Sequence, residues 1–319
     1  MDIIDFQGTT VLVTGGAGFI GSHLVDALLD RGARVRVLDD LSTGHRENLA
    51  HCVDKIDLIV GDIRDLPTCR RACEGVSYVF HQAALGSVPR SMADPSTSID
   101  VNIGGTTNVF TAARDAQVRR VVYASSSSVY GDSTIMPKRE GQEGLPLSPY
   151  ALSKKVDEEL ADLFARCFGM ELVGLRYFNV YGPRQDPNGP YAAVVPRFFA
   201  ACRAGRSPTI YGDGLQSRDF TFVGDVVRAN LLAASAPRSS CGRAYNIGAG
   251  GTTSVKELAE TICRITACPA SPIYEPPRAG DVPFSQADTT DARERIGFVA
   301  KVTLSEGLAL TAQAAGPAA

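Results

Sequence analysis

Apolar and polar positions alternate in two rhythms along the first 130 residues. Thr10-Val11-Leu12-Val13-Thr14 is a short β-branched run, the pattern of a parallel strand buried on both faces. Gly15 to Gly21 interrupt it. Ser22 to Asp30 then carry Leu24, Ala27 and Leu28 at helical spacing, and Gly32 closes the element. Arg34 to Leu38 predict a second strand ending at Asp39-Asp40. Ile56 to Val60, Tyr78 to Phe80 and Val121 to Ala124 predict further strands, with helices over Ile63 to Ala72 and Asn102 to Ala116 between them. Strand and helix alternating at this length predict an α/β fold with a Rossmann-type doubly wound parallel sheet.

From Tyr150 a long helix is predicted to about Phe168, followed by a strand over Glu171 to Arg176. The pattern then loosens. Pro183 to Pro190 and Glu275 to Asp281 are Pro/Gly-rich loops, Ala193 to Ala204 and Val255 to Ile265 are helices, and Thr209 to Gly214 is a strand and turn. These segments predict a smaller, loop-rich α/β lobe over the carboxyl edge of the sheet. Phe220 to Ala234 reads as a return to the larger domain. The expected division is residues 1–178 with about 215–240 in the larger domain, and 179–214 with 241–319 in an interleaved substrate lobe.

Composition narrows the class. The 319 residues are 44% hydrophobic and carry a net charge of -3, the profile of a soluble globular protein without a nucleic-acid surface. Arg70-Arg71 and Arg119-Arg120 are only pairs. The eight cysteines contain no Cys-x-x-Cys, and Cys69 and Cys73, four apart, have no His-rich partner segment. Reduced thiols in a cytoplasmic protein are expected, with no disulfide and no metal ligands. Met1 to Gln7 hold two acids and no basic stretch, so no signal peptide is expected, and no apolar run approaches the roughly 18 residues of a membrane span.

The first candidate site is the glycine turn. Gly15, Gly18 and Gly21 follow a strand and open a helix, with Phe19 and Ile20 between. That context lets the backbone approach a pyrophosphate and sets a helix N-terminus against its charge. Asp39 lies 18 residues past Gly21, at the end of the second strand. A carboxylate there accepts bonds from a ribose 2′-OH and repels a 2′-phosphate, so NAD is favoured over NADP. Asp40, Ser42 and Gly44 continue that loop. Asp62-Ile63 is a candidate for the adenine, with Asp62 as a helix N-cap the coexisting alternative. Ala83-Ala84, small residues after the fourth strand, let the dinucleotide lie against the backbone.

The second is Tyr150 and Lys154, four residues apart and so on one helix face about a turn from each other. A cation beside a phenol favours its ionised form and makes it a usable base. Ser125 to Ser128 end a strand, where ligands bind in open α/β sheets. A hydroxyl there can bond the reacting oxygen; without Tyr150 and Lys154 the run would read as a serine-rich turn.

These motifs continue in order through Arg176-Tyr177-Phe178-Asn179-Val180-Tyr181-Gly182-Pro183, Gly212-Asp213-Gly214, Arg218-Asp219 and Arg278-Ala279-Gly280-Asp281. Over nearly the whole length the chain resembles the extended short-chain dehydrogenase/reductases of the nucleotide-sugar epimerase/dehydratase type. Gln82 to Arg90 and Arg184 to Pro196 resemble bacterial UDP-N-acetylglucosamine 4-epimerases in particular. The resemblance implies that Ser126, Tyr150 and Lys154 are catalytic, with Lys154 and Tyr177 also at the cofactor. It implies that Asn179 meets the nucleotide diphosphate, that Val195, Arg197 and Tyr211 hold uridine, and that Arg218 and Arg278 clamp the diphosphate. Asp281 would bind the ribose, and Ser87, Arg90, Ser127 and Ser128 the sugar. Homodimerisation through the helices at Asn102–Ala116 and Lys154–Phe168 is implied as well.

Relatives that dehydrate the sugar carry Asp-Glu directly after the catalytic hydroxyl; here Ser127 and Ser128 stand there, and neither is a general acid or base. Epimerisation at C4 of a UDP-sugar, through a 4-keto intermediate and reversible hydride transfer to NAD, is the expected reaction. The resemblance puts Ser285 at the family's gatekeeper position, where a bulky Tyr closes the sugar pocket to a C2 acetamido group, and so implies that N-acetylated hexoses fit. UDP-glucuronate is the alternative, with Arg90, Ser87 or Arg184 facing a C6 carboxylate. A non-catalytic NAD-binding sensor is the competing class; such proteins typically lose Tyr or Lys of the pair, and both are present.

Overall fold

The computed structural model describes residues 3–188, 192–268, 270–277 and 284–314. The described residues form a seven-stranded parallel sheet from β1 (Thr10–Thr14), β2 (Arg34–Asp39), β3 (Ile56–Val60), β4 (Tyr78–His81), β5 (Arg120–Ser126), β6 (Leu172–Tyr177) and a strand at Arg243–Ile247. The strand order is Arg243–Ile247, β6, β5, β4, β1, β2, β3. It reverses direction between β1 and β4, and a crevice opens at the carboxyl ends of strands at such a reversal.

Alternation along each strand feeds two apolar layers. Val11 and Val13 point into a cluster with Leu24, Val25 and Leu28 of α1 (Phe19–Leu29), while Leu12 joins the opposite cluster. That second layer is covered by α2 (Leu66–Cys73), α5 (Gly105–Asp115) and α6 (Pro149–Phe168), with Cys69, Phe110 and Phe164 among its buried side chains, while the short α3 (Val88–Ala93) and α4 (Pro95–Ile99) pack against α6. A single π turn over Asp100–Gly104 joins α4 to α5, so the helix predicted from Asn102 belongs to a longer helical stretch. The helix predicted from Ile63 instead begins at Leu66, because Asp65 caps it by accepting the Thr68 N–H at 3.0 Å. Asp62 is thereby left in the preceding turn.

A third cluster lies in the smaller lobe, between α7 (Val194–Arg203), α9 (Val255–Ile265) and α11 (Leu304–Ala314). The intervening α8 (Val223–Ser235) packs on the large sheet through Val226, Val227 and Leu231. The short strands β7 (Val180–Tyr181), β8 (Thr209–Tyr211), β9 (Ser217–Arg218) and β10 (Thr221–Phe222) precede the Arg243–Ile247 strand, which is β11; β12 (Thr253–Ser254), β13 (Ile273–Glu275) and β14 (Phe284–Ser285) follow it. β11 corrects the expected division. Residues 241–319 were assigned to the lobe, yet β11 pairs with β6 and α10 (Thr290–Ile296) buries Ala292 and Ile296 against the large sheet. As an edge strand reading Arg-Ala-Tyr-Asn-Ile, with its first residue exposed, β11 lacks the continuous apolar run that marks central strands. Among the described residues no helix is long and apolar enough to cross a membrane.

Candidate functional site

A cleft of about 740 Å³ opens at the β1/β4 reversal. Its floor is the glycine turn, where backbone crowding explains the residue choice. Gly15 has φ +68°, and a Cβ there would stand 2.7 Å from the Ala83 nitrogen. A Cβ on Gly21 would stand 2.0 Å from the Gly15 carbonyl oxygen, so the helix can approach the strand only at glycine. Gly18 is the N-cap of α1 and supplies no side-chain cap, which leaves the N-terminal amides facing the cleft. Phe19 and Ile20 line it too.

Asp39 ends β2 and is 6% exposed. Its carboxylate accepts the Ala17 N–H at 2.9 Å and the Leu41 N–H at 2.8 Å. Burial pushes its proton affinity up, and those two amides pull it back. Asp40 accepts both the N–H and the hydroxyl of Ser42; these two and Gly44 border the cleft. Asp62 is gripped by Arg64 at 2.6 and 2.9 Å, which holds its carboxyl below the usual range. Asp62, Ile63, Ala83 and Ala84 complete this wall.

Ser126, Tyr150 and Lys154 border the same cleft. Ser126 ends β5 and accepts the Ser128 N–H at 3.1 Å. Tyr150 sits in the first turn of α6, its backbone N–H bonded to Ser91 Oγ at 3.1 Å. One turn on, Lys154 is 2% exposed and donates to the Ala124 carbonyl at 3.0 Å and to Asp157 at 3.1 Å. Ser127 and Ser128 are adjacent and line the cleft, and the Ser128 hydroxyl is buried without a partner among the described residues. Tyr177 lines the cleft with its hydroxyl tied to Gln82 and Asn230.

Residues that the sequence reading passed over hold this pair in place. Asp157 is 1% exposed; burial pushes it up to about 6 against the pull of Lys154. His81, at the end of β4, lies between hydroxyls, with Thr14 Oγ1 2.6 Å from Nδ1 and Thr106 Oγ1 3.0 Å from Nε2. Asn102 bonds the Leu85 N–H and donates to Ser153 Oγ, clamping α6 to the loop after β4. Arg176 forks onto Glu158 at 2.9 and 2.7 Å and bonds Glu143 and Tyr130. For His81 and Arg176 the sequence signal is a polar residue inside an apolar run, as with His81 in Tyr-Val-Phe-His; Asp157 and Glu158 sit in a charged stretch of α6 and carry no such signal.

The residues expected to meet the substrate divide. Asn179 and Arg90 reach the cleft; Asn179 has φ +31° and donates to the Asp219 carbonyl at 3.2 Å. Ser87 does not line it, because its hydroxyl caps α3 by accepting the Arg90 N–H. Val195 is 2% exposed in the lobe core and borders a separate cavity of about 520 Å³. Arg184 also faces that cavity and pairs with Asp26 at 2.8 Å, turned from the main cleft by its ion pair with α1. Arg197 stacks 5.9 Å over the Tyr211 ring. Arg218 on β9 stands opposite Ser285 on β14. None of these last four residues lines the main cleft, and Arg278 and Asp281 lie outside the described residues.

A sequence model described as the NAD dependent epimerase/dehydratase family matches residues 11–248. The chain is 43% identical over 306 residues to a UDP-glucose 4-epimerase of Mycolicibacterium smegmatis, a match covering 95% of this chain and 97% of the relative. It superimposes at TM-score 0.91 and 39% identity on the UDP-glucose 4-epimerase of Thermotoga maritima solved with UDP-glucose, over 96% of this chain and 98% of that one. A UDP-N-acetylglucosamine 4-epimerase from Methanobrevibacter ruminantium, solved with UDP-N-acetylmuramic acid, aligns at TM-score 0.92 and 39% identity over 97% and 98%.

Proposed function

Because the chain belongs to the NAD-dependent epimerase/dehydratase family, we propose that it is an NAD-dependent 4-epimerase of a UDP-hexose, interconverting UDP-GlcNAc with UDP-GalNAc or UDP-glucose with UDP-galactose. The observation that carries the reading is that Ser126, Tyr150 and Lys154 share one cleft with the glycine turn, while Ser127 and Ser128 follow where elimination would need an acid and a base.

The cleft fits the dinucleotide. Side-chain-free backbone at Gly15, Gly18 and Gly21 would meet the pyrophosphate at the start of α1, and the buried Asp39 carboxylate would meet a ribose and oppose a 2′-phosphate. When bound, NAD supplies a reversible acceptor for the hydrogen on sugar C4. The protein moves the proton. Ser126 holds O4, and Tyr150 takes its proton, with the Lys154 cation one helical turn away. The 4-keto sugar turns about its diphosphate link and presents its other face, and Tyr150 returns the proton to O4. Lys154 is fixed for this by Ala124 and Asp157. Arg218 and Arg278 would hold the diphosphate, with Asn179 meeting the same region.

The resemblance puts Ser285 at the sugar pocket, where a small side chain would leave space for a C2 acetamido group, and that supports the N-acetylated pair. Arg90 at the cleft supports UDP-glucuronate as a second reading, since a guanidinium matches a C6 carboxylate. A homodimer belongs to the same proposal, with Leu152, Leu163 and Phe168 exposed on α6. The test is to incubate purified protein with UDP-GlcNAc, UDP-glucose and UDP-glucuronate separately, without added NAD, and to read C4 inversion by proton NMR. Conversion identifies the substrate and a retained cofactor. Silence with all three, despite bound NAD, would overturn the UDP-sugar reading.

A further inference from the structure

Three thiols converge in the smaller lobe, away from the cleft. Cys202 lies at the end of α7, Cys263 on α9 and Cys268 in the turn beyond it, and their Sγ atoms all lie within 4.8 Å of one another. They sit among the lobe's apolar side chains. Cys202 is buried, whereas Cys263 and Cys268 are partly exposed, so solvent can reach the group.

The spacing is that of a metal site. In a tetrahedral zinc thiolate with Zn–S of about 2.3 Å, neighbouring sulfurs stand about 3.8 Å apart. The Cys202 and Cys263 sulfurs are 3.7 Å apart. A fourth donor faces the same space: the Ala270 carbonyl oxygen lies 3.7 Å from Cys263 Sγ and 3.9 Å from Cys268 Sγ. No carboxylate or imidazole belongs to the group, so its donor set selects a soft cation over magnesium or calcium. Two separate backbone segments contribute, α7 and the end of α9 with its following turn, which gives a bound ion something to hold together.

We propose that Cys202, Cys263 and Cys268 form a thiolate site for a soft divalent cation, zinc foremost, that staples α7 to α9 and to the turn after it. Binding ionises three thiols and releases their protons. The staple would fix α7, the helix that carries Val195 and Arg197.

The test uses the full chain, purified under a non-coordinating reductant, stripped with chelator and titrated with cadmium as an optical probe. The expected result is an ultraviolet thiolate-to-cadmium charge-transfer band that saturates at one equivalent with the intensity of three thiolates. The melting temperature should rise on zinc loading. Cys268→Ser, at a partly exposed position, should lose a third or more of the band while remaining folded by circular dichroism. Cys263→Ser should do the same, and Cys167→Ser, an exposed thiol elsewhere, should leave it intact. No band at one equivalent, or a full band in Cys268→Ser and Cys263→Ser, would overturn the proposal.

Discussion

His81 should make acid stability measurable at a single side chain. Its ring is 2% exposed, held between Thr14 and Thr106. Burial, seconded by the positive charge of Lys154, lowers its pKa from 6.5 to about 3. An unfolded chain takes up this proton near 6.5 and the native one does not, so between those values the unfolded state binds more protons. The contribution is complete above 6.5 and is lost as pH falls toward 3. Integrated from pH 7 to pH 5, one such group costs the native state about 2 kcal/mol. Two carboxylates act the other way. Asp157 and Asp219 are both pushed up to about 6 by burial, so each contributes stability that is complete below its ordinary range and fades as pH rises through about 6. Over the same interval each offsets about 1 kcal/mol, so the contributions of these three groups nearly cancel in the parent. The informative quantity is therefore the difference between the parent and His81→Gln, which puts a polar side chain that does not titrate in place of the imidazole. Urea unfolding of both at pH 7 and pH 5 should show the variant gaining about 2 kcal/mol on the parent at the lower pH. An unchanged gap would refute the picture of a buried, neutral imidazole.

Asp157→Asn leaves the Lys154 ammonium buried with only the Ala124 carbonyl; it should cost about 3 kcal/mol in urea unfolding at neutral pH and lower the epimerisation rate, while a wild-type midpoint would show the pair to be inert. Gly21→Ala forces a Cβ to within 2.0 Å of the Gly15 oxygen, so the purified variant should carry little nucleotide when denatured and assayed for released NAD. Tyr150→Phe should lower C4 inversion by about 100- to 10,000-fold while leaving NAD bound; retained activity would remove Tyr150 from the role of base. Sedimentation should give a dimer for the parent and a shift toward monomer for Leu163→Glu, whose parent side chain is exposed on α6.

The parts of the site that a reader of the chain could find are those whose logic is local. Gly15 to Gly21 sit within one turn of backbone, and Tyr150 and Lys154 within one turn of helix, so spacing alone brings each set together. His81, Thr14, Thr106 and Asp157 lie on β4, β1, α5 and α6, and only the β1–β4 register and the packing of helices on that face make them neighbours. Arg184 illustrates the converse: it stands beside a legible loop, but a carboxylate on α1 claims it. The three lobe thiols were invisible for the same reason, with 61 positions separating Cys202 from Cys263. β11 was missed because an edge strand needs only one buried flank, and a five-residue stretch opening on an exposed arginine carries no period to count.

The place of β11 sets a timetable for synthesis. β6 ends at Tyr177 and its outer neighbour begins only at Arg243, so one edge of an otherwise complete sheet stays open while the ribosome adds the residues between. At about 5 to 20 residues per second that interval is roughly 3 to 13 seconds. An unpaired edge of six buried residues, Leu172 to Tyr177, is a template for another chain. A rare-codon pause or a truncation between 178 and 242 should therefore favour aggregation of the nascent protein far more than the same event after Ile247.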